Sequence, residues 1–161
     1  MKIIKELIPY IIITIVVILI RSFVISPVRV DGLSMYPTLN NNDYLLLNKF
    51  DKSYERFDII ALKYKDEKLV KRIIGLPGEY VEYLDNKLYI DGKIIEEKFL
   101  KEETGDFNLT ILGYDKVPNN CYFVVGDNRD NSQDSRIIGF INKDDILGIV
   151  LFNVSKFKKT N

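Results

Sequence analysis

Residues 84–93 read LDNKLYIDGK, with the polar pairs Asp85-Asn86 and Asp91-Gly92 on either side of a run that alternates polar and apolar. Asn, Asp and Gly accept the positive φ that two-residue hairpin turns demand, so the stretch predicts tight hairpins and not a helix. Its strands are EYVEYLD (79–85) and KLYIDG (87–92). Outward from there the pattern repeats in SPVRV (26–30), DYLLLNKF (43–50), FDIIALKY (57–64), KLVKRIIG (68–75), CYFVVG (121–126) and DILGIVLFNV (145–154). Each is short, rich in β-branched and aromatic residues, and bounded by turn residues such as GLPGE (75–79). Many short strands with regular turn signals predict an all-β domain, a folded sheet or barrel-like body. The most charged stretch, residues 96–120, is expected to be a surface excursion. No internal repeat or interior linker suggests a second soluble domain.

The front of the chain departs from this pattern. From Leu7 to Ile25 the sequence LIPYIIITIVVILIRSFVI is apolar apart from Tyr10, Thr14, Arg21 and Ser22. As a helix it would span about 28 Å, close to the hydrocarbon thickness of a bilayer. A buried core helix would normally be shorter or show a polar face, and a cleaved secretory signal would not place Pro27 just past its small residue. The expectation is therefore an uncleaved, single membrane-spanning helix, with residues 1–25 as tail and anchor and 26–161 as the β domain. Arg21 can snorkel to the interface. Lys2 and Lys5 before the helix nearly balance Arg21 and Arg29 at or beyond its far end, so charge does not orient it.

Composition removes whole classes of chemistry. The 161 residues carry 23 cations and 23 anions, no histidine and one cysteine. No basic stripe offers a nucleic-acid partner an electrostatic footing. A histidine-based triad, an internal disulfide and the usual zinc sites have no residues to use. Neither a metal site nor a cofactor is expected.

Three stretches hold more special residues than a plain β domain needs: GLSMYPTL (32–39), KLVKRIIGLPGE (68–79) and GDNRDNSQDSR (126–136). Read alone, Ser34 is a turn residue whose hydroxyl satisfies backbone groups. In the second stretch, strand alternation places Leu69, Lys71 and Ile73 on one face and Val70, Arg72 and Ile74 on the other, so one cation must point with bulky apolar neighbours. If that cation is Lys71, burial favours its neutral form, and a neutral lysine is a base. If the face is solvated, or the side chain snorkels to an edge, it is an ordinary cation. Bringing a lysine from about 10.4 to a working base near 7 to 8 disfavours its charge by on the order of 4 kcal/mol, which requires a dry site with no directly paired carboxylate. In the third stretch Asp127, Arg129, Asp134 and Arg136 can pair internally and hold Ser132 rigid, although such loops are often only Asx turns with surface ion pairs.

In this order, after a single anchor, the three stretches resemble the type I signal peptidases of bacteria, over nearly the whole chain. GLSMYPTL looks like the family's nucleophile box, VKRIIGLPGE its lysine box and VVGDNRDNSQDSR its late box. The resemblance implies a membrane-bound serine endopeptidase with a Ser/Lys dyad that cuts signal peptides from exported preproteins after small residues in an Ala-x-Ala pattern. By motif, Ser34 is the nucleophile and Lys71 the general base. Ser132 is the hydroxyl that orients the amine, Asp134 and Arg136 form a supporting ion pair, and Asp127 holds Arg72. Shallow substrate pockets fall to Val28, Val30, Leu39 and Val70, with the substrate adding as a strand between the segments bearing Ser34 and Lys71. Met35 and Tyr36 are expected to dip into the bilayer surface. The family also sets the orientation: β domain outside, short tail in the cytoplasm.

This sequence departs from the Gram-negative form of the family at Gly32, where a serine hydroxyl there supplies the second oxyanion donor. A backbone N–H or a water is expected to substitute, and Gly32→Ser to retain or raise turnover. Two other readings compete. The self-cleaving SOS repressors share the Ser/Lys chemistry but lack an anchor. A catalytically inactive, membrane-tethered β scaffold or binding module would share the composition but would not need Ser34 and Lys71 together.

Overall fold

The computed structural model describes residues 2–23, 25–100 and 103–157; the side chains of 2–5, 19–23, 25 and 157 lie outside that description. It opens with a helix, α1 (Lys2–Phe23), followed by the strands β1 (Ile25–Arg29), β2 (Tyr44–Asn48), β3 (Ile59–Tyr64), β4 (Glu67–Gly75), β5 (Val81–Leu84), β6 (Lys87–Ile90), β7 (Lys93–Ile95), β8 (Phe107–Asn108) and β9 (Cys121–Val125). The short helix α2 (Ser135–Ile138) and the strands β10 (Ile141–Asn142) and β11 (Ile146–Asn153) complete the regular elements, with 3-10 turns at Leu109–Leu112, Lys143–Asp145 and Val154–Phe157.

The opening hairpin forms as its turn residues require. Leu84 pairs with Lys87 across Asp85 and Asn86 at φ 49° and 62°, and Ile90 pairs with Lys93 across Asp91 and Gly92 at φ 48° and 76°. Positive φ at both central positions matches the right-handed twist of the flanking strands. The strands lie in two sheets, ordered β1-β2-β11-β3-β4-β9-β10 and β7-β6-β5-β8. Neither order returns to its first strand among the described residues, so the body is a pair of folded sheets.

One core joins the sheets: Ile74, Phe123 and Val125 of the large sheet pack with Val81, Tyr83, Leu88 and Ile90 of the small one. A second lies on the opposite face of β3, β4 and β9, around Ile60, Leu62, Ile73 and Val124. Strand β4 is thus covered on both faces from Val70 onward. Both neighbouring cations, Lys71 and Arg72, are buried, and not one alone.

The stretch 96–120 is not a surface excursion. It supplies β8, and it buries Thr104, Phe107, Leu109 and Val117 in or against the core between the sheets. Its charges concealed an apolar spacing too irregular for either a helical or a strand period.

Helix α1 is 22 residues long with Pro9 inside it. Its apolar side chains from Leu7 to Ile18 are exposed to about half or more of their surface, and Thr14 donates its hydroxyl to the Tyr10 carbonyl at 2.8 Å. Among the described residues no helix is long and apolar enough to cross a membrane. The portion with described side chains, residues 6–18, spans about 20 Å, short of the hydrocarbon layer. The Arg21 side chain expected to snorkel lies outside the described residues.

Candidate active site

Ser34 sits in a turn sewn down on three sides. Gly32 N–H donates to Asn41 Oδ1 at 3.0 Å, Tyr36 N–H to the Leu33 carbonyl at 3.0 Å, and Leu39 N–H to the Met35 carbonyl at 2.9 Å. From the far side Asn128 holds two of the turn's carbonyls, its N–H donating to Ser34 O at 3.0 Å and its side-chain amide to Leu33 O at 3.1 Å. The Tyr36-Pro37 peptide is cis. Met35 is 1% exposed and packs in a third apolar cluster with Val30, Leu39, Leu45, Leu47 and Val70. It is therefore a core anchor of the turn and cannot dip into a bilayer. Tyr36 and Leu33 remain about half exposed.

Strand β4 carries Lys71 to this turn. Its side chain is 2% exposed and its Nζ lies in hydrogen-bond contact with Ser34 Oγ, at 2.5 Å. Burial pushes the Lys71 ammonium from the usual 10.5 down to about 8, with Asp134 opposing the shift, Arg136 reinforcing it and Asp127 opposing it weakly. A lysine so placed is neutral in a substantial fraction of molecules near neutral to mildly alkaline pH, and a neutral amine against a hydroxyl can take its proton.

The late loop closes over the pair. Arg72 donates to both oxygens of Asp127, Nε at 2.9 Å and Nη2 at 2.6 Å, while its guanidinium lies 3.7 Å from the centre of the Phe99 ring. Asp134 accepts Arg136 through Nε and Nη2, both at 2.9 Å, and accepts the Gly126 N–H at 3.0 Å. Arg129 donates Nε to the Gly126 carbonyl within the loop at 3.1 Å and reaches outside it to Glu97 in the 96–120 stretch, at 2.6 Å. Ser132 Oγ is buried and has no hydrogen-bond partner among the described residues, so the structure does not join it to Lys71. It lies close by nonetheless. A Cβ added to Gly126 would stand 2.2 Å from Ser132 Oγ and 2.5 Å from Ser34 O.

Gly32 has φ +95°, with nothing among the described residues within 4 Å of where a Cβ would stand. There is room for a serine, but an L-residue at that φ costs about 1–3 kcal/mol in strain. A Gly32→Ser variant would carry that strain into the turn that holds Ser34. The Gly32 N–H is also committed to Asn41 and is not free for an oxyanion.

Val30, Leu39 and Val70 share the third cluster, with Val28 packed against it. They are almost fully buried, with Val28 partly so, and form the floor of the region. Of the four, Leu39 alone lines a cleft of about 360 Å³, which is bounded also by Ile59, Val150 and Phe152. Strand β4 pairs with β3 along residues 67–72, but β9 joins it only from Arg72 onward. Among the described residues its outer edge before Arg72 is therefore unpaired. No group of three or more His, Cys, Asp or Glu side chains is arranged for a metal among the described residues.

Sequence reasoning missed Glu97, Thr104, Asn41 and Asn128. Asn128 stood inside a stretch already singled out. Glu97 gave no signal, because its partner is 32 residues away.

A serine hydroxyl against a buried amine, carried by folded β-sheets, is the equipment of a hydrolase that works without histidine. The chain belongs to the family described as signal peptidase, peptidase S26, whose model matches residues 3–155. It is 44% identical over 145 residues to signal peptidase I V of Bacillus subtilis, covering 81% of this chain and 86% of that one. It is 42% identical over 158 residues to signal peptidase I S of the same organism, covering 89% and 86%. The crystal structure of a signal peptidase I from Enterococcus faecalis matches with a TM-score of 0.59 at 40% identity, over 62% of this chain and 97% of that one.

Proposed function

We propose that this chain is a membrane-anchored serine endopeptidase that removes signal peptides from exported preproteins after small residues, with Ser34 as nucleophile and Lys71 as general base. The observation that carries the reading is the contact between the buried Lys71 amine and the Ser34 hydroxyl. Neutral Lys71 takes the Ser34 proton as Oγ attacks the scissile carbonyl. The resulting ammonium gives that proton to the departing amine, leaving an acyl-enzyme. Lys71, neutral again, activates the water that releases it.

The Ser34 N–H supplies one oxyanion donor; a backbone N–H other than that of Gly32, or a water, supplies the second. Asp127 through Arg72, and Asp134 through Arg136, hold the walls of the site, and Ser132 turns its unpartnered hydroxyl to the amine once substrate is seated. The substrate lies as an added strand on the unpaired edge of β4, with its small side chains over Val28, Val30, Leu39 and Val70. Support for the anchor is the exposed apolar surface of α1 and the self-satisfied hydroxyl of Thr14. Tyr36 and Leu33 meet the outer face of the bilayer. The β domain lies on the extracytoplasmic side, with partners limited to preprotein signal peptides and lipid.

Purified full-length protein is tested on a preprotein substrate beside Ser34→Ala and Lys71→Met. Cleavage by wild type alone is the expected result. Equal cleavage by all three removes the dyad, and a wild type that never cleaves makes the chain a scaffold.

A further inference from the structure

The loop that covers the dyad, residues 126–136, leaves the sheet after Val125 and is shaped by side chains more than by strand pairing. Its pivot is the Gly126 peptide. Asp134 grips its N–H at 3.0 Å and Arg129 Nε grips its carbonyl at 3.1 Å. Gly126 also lies tight against the site, since even a methyl group there would overlap Ser132 Oγ and Ser34 O. The same arginine receives a second tie through its own carbonyl, which accepts Arg136 Nη2 at 2.7 Å.

The Arg129 guanidinium is 1% exposed and must find its counter-charge inside the protein. Within the loop Asp127 is ion-paired with Arg72 and Asp134 with Arg136. From outside it Glu97 supplies a carboxylate, its side chain 6% exposed, with Oε1 at 2.6 Å from Nη2 and Oε2 at 3.3 Å from Nη1. Thr104 Oγ1 accepts from Nη1 at 2.5 Å, and Tyr83 donates its hydroxyl to Glu97 Oε1 at 3.2 Å. Glu97 and Thr104 both come from the stretch between the small sheet's strands, outside all three catalytic stretches.

We propose that Glu97 is a positioning residue for the reaction, fixing through Arg129 the Gly126 peptide against which Ser132 and Ser34 are set. The inference rests on the peptidase reading above. Loss of the Glu97 carboxylate removes the 2.6 Å ion pair that sets the guanidinium, and the Nε contact with the Gly126 carbonyl shifts with it. A shift of about 1 Å at such a peptide is enough to cost on the order of 100-fold in turnover while substrate contacts elsewhere persist.

Steady-state cleavage of a preprotein by full-length Glu97→Gln and Thr104→Val, with thermal unfolding of each, tests this. Expected are a kcat about 10- to 100-fold lower in Glu97→Gln and a smaller fall in Thr104→Val, with KM within about twofold of wild type in both. A folded Glu97→Gln with wild-type kcat, or a loss carried entirely by KM, overturns the proposal. Should Glu97→Gln fail to fold, Thr104→Val decides by the same criterion, since it removes one hydrogen bond and leaves the ion pair. Failure of wild type to cleave sinks the peptidase reading instead, so the two outcomes are separable.

Discussion

Lys71 serves the proposed reaction at a cost to the fold. Its ammonium titrates near 8 in the folded protein against 10.5 for an ordinary lysine, so below pH 8 folding carries a penalty on the order of 3 kcal/mol. Above the folded-state value the amine is already neutral in the native chain while the unfolded chain still binds the proton. Stability from this residue therefore rises between about pH 8 and 10.5 and is flat outside that window. Lys71→Met should abolish cleavage and raise the melting temperature at pH 7, with the difference from wild type shrinking as pH climbs; calorimetry across that range checks it. Cleavage by wild type should rise through an apparent pKa near 8, because only the neutral amine is a base. A flat profile from pH 6 to about 9.5 would count against lysine as the group that titrates. Gly32→Ser is a second test at this scale. With φ at +95° the variant should unfold at lower denaturant concentration than wild type, by about 1–3 kcal/mol.

At the scale of elements, β4 explains why the site was partly legible before the fold. Its alternation said that Lys71 or Arg72 had to keep apolar company, and two buried faces gave that company to both. Asp127 then makes Arg72 tolerable. Removing it as Asp127→Ala leaves a guanidinium unpaired between strand and loop, and chemical denaturation should register a loss of about 3–5 kcal/mol. The strands themselves were readable because turn residues of known φ preference fenced off β-branched runs, as at Asp85-Asn86 and Asp91-Gly92. The two-residue strands β8 and β10 were not, since a pair of residues carries no period. Nor could local pattern reveal that Glu97, in a run of charges, turns inward to meet Arg129. Buried ion pairs between distant segments are decided by the fold that assembles them, and Met35, taken for a surface residue, went into the core for the same reason.

Over the whole molecule, α1 ends at Phe23 and β1 begins at Ile25, at the edge of the large sheet, with Ser34 a few residues further on. Eleven residues of chain reach no more than about 40 Å even when fully drawn out. If α1 is seated in a bilayer, the nucleophile therefore works at a limited height above it. A preprotein whose own apolar segment ends at the same interface offers only a narrow band of peptide bonds at that height. The helix-to-strand junction then acts as a ruler, and small side chains decide among the few bonds that it presents. Two residues inserted between Phe23 and Ile25 lengthen the ruler by up to about 7 Å. Mass spectrometry of the released products should find the cut displaced toward the mature sequence on preproteins with more than one acceptable site, and unchanged on short peptides that carry no apolar segment to measure from.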